Sequence, residues 1–155
     1  MEKYPLYKNI LNLLKEKAVA FHEIKHMPIN TSDEALEIFG YVGADTLKTI
    51  ALDSDILQLI ITLTIDERID FKQLKTMYGV TFRFMERSKI QVVLGAEPGG
   101  LSPFGYNNNI CVLITYKAYM AKRILINPGR RDLTLNIDSI DFKRLIDTFN
   151  ISILL

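Results

Sequence analysis

One cysteine, two histidines and a formal net charge of +1 leave this 155-residue chain without several common chemistries. Cys111 stands alone in the apolar run Ile110-Cys-Val-Leu-Ile114, so it has no disulfide partner and reads as strand core. A reactive thiol needs a nearby histidine or helix N-terminus, and the sequence shows neither. His22 and His26 have the four-residue spacing of a helical metal pair. The alternation of Phe21, Glu23 and Lys25 with His22, Ile24 and His26 is that of a strand, however, and no cysteine cluster or further histidine completes a zinc set. Neither a metal nor another cofactor is expected. The small net charge excludes a protein that coats nucleic acid by charge alone, because nonspecific affinity tracks the number of phosphates neutralised. No apolar run reaches the roughly 18 residues of a membrane span, and the N-terminus lacks the charged-then-apolar layout of a secretory leader. The expectation is a soluble, cytoplasmic chain with no membrane contact. Repeats, linkers and low-complexity tracts are absent. So are a nucleophile elbow, a zinc-hydrolase motif and a Ser/His/Asp set.

What is present is enough apolar residue, 48%, to bury one core, and we expect a single domain over residues 1–155. Pro5 followed by Ile10, Leu11, Leu13 and Leu14 predicts a first helix, and Phe21 to Lys25 a strand. Thr31-Ser-Asp-Glu34 has the form of a capping box and starts a short helix through Ile38 to Gly40, with Gly43 breaking the next stretch. Thr46 to Leu52 and Leu57 to Thr64 read as two strands at the centre of a sheet, joined by Asp53-Ser-Asp55. Asp70 caps a helix over Phe71 to Tyr78 that Gly79 stops, and Phe82 to Met85 is a short strand. A helix from Glu86 to Leu94 comes next. Strands over 110–115, 123–126 and 133–137 and a helical turn near Lys117 to Ala121 precede a last amphipathic helix that begins at Asp138-Ser-Ile-Asp141. This irregular mixture points to an α+β fold with a mixed sheet, closing toward a barrel and surrounded by helices.

The most informative stretch is Gly95-Ala-Glu-Pro-Gly-Gly-Leu-Ser-Pro-Phe-Gly105, with four glycines and two prolines in eleven residues. Proline lacks an amide donor and glycine weakens both helix and strand, so the stretch is a rigid loop, expected to be exposed along its backbone. Glycine lets main-chain N–H groups approach a carbonyl or phosphate oxygen with no side chain between them. Lys117, Lys122, Arg123, Arg130 and Arg131 gather in the last third of the chain. They read equally well as a local basic patch or as solvated surface charge.

Gly95, Gly99, Gly100, Ser102, Pro103 and Gly105 resemble the loop signature of the YbaK/ProX family of aminoacyl-tRNA deacylases, which includes the editing domain inserted in bacterial prolyl-tRNA synthetases. His26-Met-Pro, Thr31-Ser-Asp-Glu-Ala35, Leu47-Lys48-Thr49 and Asn127-Pro-Gly-Arg-Arg131 extend the resemblance, in the family's order, across nearly the whole chain. The resemblance implies a YbaK-like fold and hydrolysis of the ester on a tRNA mischarged with a small amino acid, of the Cys-tRNA(Pro) or Ala-tRNA(Pro) type. The partners it implies are the aminoacyl-tRNA acceptor end and a prolyl-tRNA synthetase.

By pattern alone Lys48 would point to solvent, since it interrupts an otherwise apolar strand. The resemblance instead sets it in the cleft, positioning the terminal adenosine, and not as a general base, because an ordinary lysine is protonated at neutral pH. Amides around Gly99, Gly100 and Leu101 would stabilise the oxyanion, with substrate groups such as a ribose hydroxyl assisting. His26 reads either as a structural residue bonded to its own loop or as part of the cleft wall. Ser102, Pro103, Asn127, Gly129 and Thr134 complete the expected substrate-binding set, although a serine in a turn more often bonds its own backbone. Ile24 and Thr134 depart from the aromatic and the acid that the cysteine-deacylating branch carries, so the acyl group stays open. The rival reading is a non-catalytic module that holds a nucleotide or tRNA end, or docks on a synthetase.

Overall fold

A computed structural model of the chain describes residues 3–29, 32–39, 46–107 and 109–155. Helix α1, Pro5–Glu16, begins with proline at its first turn, where an amide is not needed, and buries Leu6, Ile10 and Leu14 along one stripe. Strand β1, Phe21–Lys25, and helix α2, Ser32–Phe39, come after it. Thr31, Gly40 and Gly43 lie outside the described residues. Strands β2, Leu47–Asp53, and β3, Leu59–Thr64, flank the Asp53-Ser-Asp55 turn, where the Ser54 hydroxyl donates to the Leu57 carbonyl at 2.7 Å.

Helix α3, Phe71–Tyr78, shows how far local signals reach. The Asp70 carboxylate accepts from the Gln73 amide at 3.0 Å, and Gly79 ends the helix at φ +72°. Strand β4, Arg83–Phe84, leads into α4, Arg87–Lys89. The expected helix over 86–94 is not uniform, for after Lys89 it widens into a π-type turn, Ile90–Leu94, closed by Gly95 in the left-handed region. Strand β5, Cys111–Thr115, runs into α5, Tyr116–Tyr119; β6, Ile124–Ile126, and β7, Leu133–Ile137, come next, before α6, Ser139–Thr148, and β8, Ser152–Leu154. Strand β8 was not foreseen, because three residues carry no period.

Two sheets result. One has the antiparallel order β1-β7-β6, and the other is mixed, β4-β2-β3-β5-β8, with β5 parallel to both β3 and β8 and the β2 pairings antiparallel. They touch where Thr46, just before β2, makes a parallel bridge to Leu125 of β6. All six residues of β3 are buried, as expected of a central strand covered on both faces. Ile60, Leu47 and Ala51 face the core shared with α1, α6 and the smaller sheet; Leu59, Ile61, Leu63 and Leu52 face the side covered by Leu74 of α3 and Phe82. Among the described residues, no helix is long and apolar enough to cross a membrane.

Candidate functional site

The chain's glycine-proline loop is buried rather than exposed along Gly100 to Phe104, and the reason is its close contact with the turn after β6. The Glu97 amide donates to the Gly129 carbonyl at 3.0 Å, and the Gly129 amide donates to the Gly100 carbonyl at 2.7 Å. The Glu97 carboxylate then accepts the Arg131 amide at 2.7 Å. A side chain on Gly100 would put its Cβ 2.6 Å from the Arg130 carbonyl carbon, so only glycine allows this approach. Further along, the Tyr106 hydroxyl takes the Ser102 amide at 3.1 Å and donates to the Ser102 carbonyl at 2.7 Å; burial pushes its pKa well up. The Gly100, Ser102 and Phe104 amides of this buried loop are thus paired, as burial requires.

Between this loop, the start of β2 and the turn after β6 lies a cavity of about 260 Å³. Of the expected site residues it brings together Lys48, Gly99, Leu101, Asn127 and Thr134. Ile29, Phe39, Leu47, Ile65, Leu125 and Ile126 supply its apolar wall, and Thr46, Thr49 and Arg131 its remaining polar side chains. The other expected residues are not in the lining. Gly100 faces the Arg130–Arg131 backbone, and its own amide donates to the Glu97 carbonyl at 2.9 Å. Ser102 is fully buried, its hydroxyl taking the Phe104 amide at 3.3 Å, and Pro103 is buried beside it. Gly129, at φ +92°, backs onto Leu6 and Tyr7 of α1.

His26 reaches the cavity through Thr134 and through Phe39, against whose ring it packs edge-on with centroids 5.7 Å apart. Its Nδ1 lies 2.7 Å from the Met27 carbonyl, which can only accept, so Nδ1 carries the proton and in the neutral ring Nε2 accepts from the Thr134 hydroxyl at 2.7 Å. Asn127 is committed to shaping its turn, with Nδ2 donating to the Leu133 carbonyl at 3.0 Å and the Arg130 carbonyl at 3.3 Å.

Lys48 shares its strand face with Ile50 and Leu52, while Thr49 alternates to the face of Leu47 and Ala51. Lys48 belongs to the cavity lining, and its amine donates to the Glu67 carbonyl at 2.5 Å and the Ile65 carbonyl at 3.2 Å. Partial burial lowers its pKa, helped by the nearby Arg68 charge. Among the described residues, the Gly99 and Leu101 amides have no hydrogen-bond acceptor. Arg131 lies against Gly99, where an added Cβ would come 3.1 Å from its Nε. The sequence reading sets Arg131 in the Asn127-Pro-Gly-Arg-Arg131 motif and in the basic cluster but not among the site residues, although its place two residues after the Gly129 turn was the available signal. Glu97 was missed because its role depends on Arg131, thirty-four residues away, and Tyr106 because its bonds to Ser102, four residues back, need the loop to fold over its hydroxyl. Among the described residues, no group of three His, Cys, Asp or Glu is placed to hold a metal ion.

Solved structures share this architecture. The chain superposes on a crystal structure of a hypothetical protein with a TM-score of 0.80 at 16% identity, covering 94% of this chain and 96% of that one. A scaffold protein carrying a computationally grafted linear epitope gives 0.79 at 13%, covering 97% and 96%. A candidate trans-editing enzyme for prolyl tRNA synthetase gives 0.79 at 13%, covering 97% and 95%. At such identities the likeness establishes the fold, a YbaK-like one. The sequence itself matches the model of the aminoacyl-tRNA editing domain over residues 26–145, a span that runs from the His26 motif through both loops and most of α6. The chain therefore belongs to the aminoacyl-tRNA editing domain family.

Proposed function

We propose that the protein is a trans-editing hydrolase that removes a small, wrongly attached amino acid from tRNA, of the Cys-tRNA(Pro) or Ala-tRNA(Pro) type. The observation that carries this reading is the single cavity lined at once by Lys48, Gly99 and Leu101. Water adds to the ester carbonyl, the C–O bond to the ribose breaks, and the proton passes to the leaving ribose oxygen through groups of the substrate itself. The Gly99 and Leu101 amides receive the oxyanion, each such donor lowering the barrier by about 3 kcal/mol. Lys48 has two of its three ammonium donors on the Ile65 and Glu67 carbonyls, which leaves the third for a ribose or phosphate oxygen of the acceptor end. About 260 Å³ suits a small acyl group with part of the terminal nucleoside. A prolyl-tRNA synthetase is the partner this reading implies.

The cavity lining, which among the described residues has no Asp, Glu or His to act as a base, favours the second reading, a binding module that holds a nucleotide or the acceptor end without cleaving it. A deacylation assay over a panel of mischarged tRNAs separates the two. We expect at least one small-amino-acid ester to be cleaved faster than in buffer, and Lys48→Ala to slow that cleavage at least tenfold. No acceleration for any member of the panel returns the protein to the binding-module reading.

A further inference from the structure

The residues that hold the cavity in shape include a set from α1, which lies outside the residues matched by the family model. The Leu6 amide donates to the Gly95 carbonyl at 3.1 Å, and Asn9 Nδ2 donates to the Gly105 carbonyl at 2.7 Å, so α1 grips both ends of the glycine-proline loop. Pro5 Cγ would be 2.8 Å from a Cβ on Gly95, and Ile10 Cγ1 2.9 Å from one on Gly105, which shows how closely the helix is seated on both. On its other side α1 reaches the turn after β6. The Arg130 guanidinium lies 4.7 Å from the Tyr4 ring centroid and 5.0 Å from that of Tyr7, and it holds the Asp132 carboxylate with two hydrogen bonds of 2.9 and 2.8 Å. Tyr7 is fixed in turn by donating its hydroxyl to Glu23 of β1 at 2.7 Å.

Arg130 does not line the cavity, but its neighbours on the chain do. Its carbonyl accepts from Asn127, its backbone packs on Gly100, and the next residue, Arg131, lies over Gly99. The Asp132 carbonyl accepts the His26 amide at 3.0 Å, which ties the same turn to the His26–Thr134 pair. We propose that Arg130 is a positioning residue: clamped between Tyr4, Tyr7 and Asp132, it transmits the seat of α1 to the turn that fixes the Gly99 and Leu101 amides at the cavity. A guanidinium suits this task because it is planar, so it can stack on rings while forking onto a carboxylate, which an ammonium cannot do.

The test is Arg130→Lys, which keeps the charge and loses the planar fork, with Arg144→Lys on the exposed face of α6 as control. Amide proton–nitrogen spectra report the loop directly. In Arg130→Lys the Gly99 and Leu101 resonances, some thirty residues away in sequence, shift or broaden, while those of β3 and β5 stay in place and Arg144→Lys leaves both sets unchanged. A purely global loss of stability would leave the native resonances where they are. This inference rests on the hydrolase reading only for its activity arm, in which kcat on the panel's best substrate falls at least tenfold and KM changes less than threefold. Unmoved Gly99 and Leu101 resonances overturn the proposal whatever the activity, and so does a shift accompanied by unchanged kcat. Should the parent protein cleave no ester, the hydrolase reading falls alone and the amide comparison decides the role of Arg130. If Arg130→Lys does not fold, Tyr4→Leu, which removes one face of the clamp, is read by the same spectra.

Discussion

Gly100 has no room for a side chain, because backbone atoms of Arg130 and Arg131 stand 2.6 to 2.9 Å from where a Cβ would be. Backbone cannot swing aside as a side-chain tip can, so Gly100→Ala must part the two loops. We expect a cost of about 1–3 kcal/mol, the range for overpacking, and a fall in Tm of roughly 2–4 °C per kcal/mol in a chain of this size. Thermal unfolding checks it; an unchanged Tm would mean the loops separate freely. The same residue marks the limit of sequence reading at this scale. The motif singles out three consecutive amides, yet only the fold shows that the Gly100 donor goes to Glu97 while Gly99 and Leu101 are lining residues of the cavity. Likewise a lysine in an apolar strand is visible as an anomaly, but the Ile65 and Glu67 carbonyls that receive its amine are seventeen and nineteen residues away.

Helices whose signals are local were legible as elements. The Asp70 cap and the Gly79 stop bracket α3 because both act within one turn of the residue concerned. Strand β8 depends instead on the edge that β5 offers, and the π-type widening at Ile90–Leu94 on how Gly95 meets α1. The turn after β3 and helix α5 are joined by a longer-range pair, Asp66 with Lys117 at 2.7 Å. Hydrogen bonds from Lys117 and Thr64 hold the Asp66 pKa down to about 2. Since the folded value is depressed, the carboxylate's contribution is fully present above its unfolded pKa near 3.8 and is lost as pH falls through about 2. Urea midpoints of the parent and Asp66→Asn should therefore differ at pH 5 and converge toward pH 2, and high salt should narrow the gap because the pair is exposed. A gap independent of pH would show that the pair does not act through charge.

At the scale of the molecule, one core joins α1 and α6 to both sheets, and Phe142 of α6 is fully buried within it. Phe142→Ala should cost about 3–5 kcal/mol, since the cavity left behind is walled by strands that cannot collapse into it. The expected fall in Tm is about 6–20 °C, read by calorimetry, and a loss under 2 °C would place the residue outside the cooperative core. The chain's composition and periodicity determined the mixture of strands and helices, the placement of β2 and β3 at a sheet centre, and the stiff glycine-proline loop. These come from apolar spacing and from the backbone limits of glycine and proline, which act over a few residues. The division into two sheets, their meeting at Thr46 and Leu125, and the choice of cavity-facing groups were decided only by tertiary structure. Those features depend on which distant backbone groups pair and which faces bury one another, and that is a property of the packed chain rather than of any local stretch.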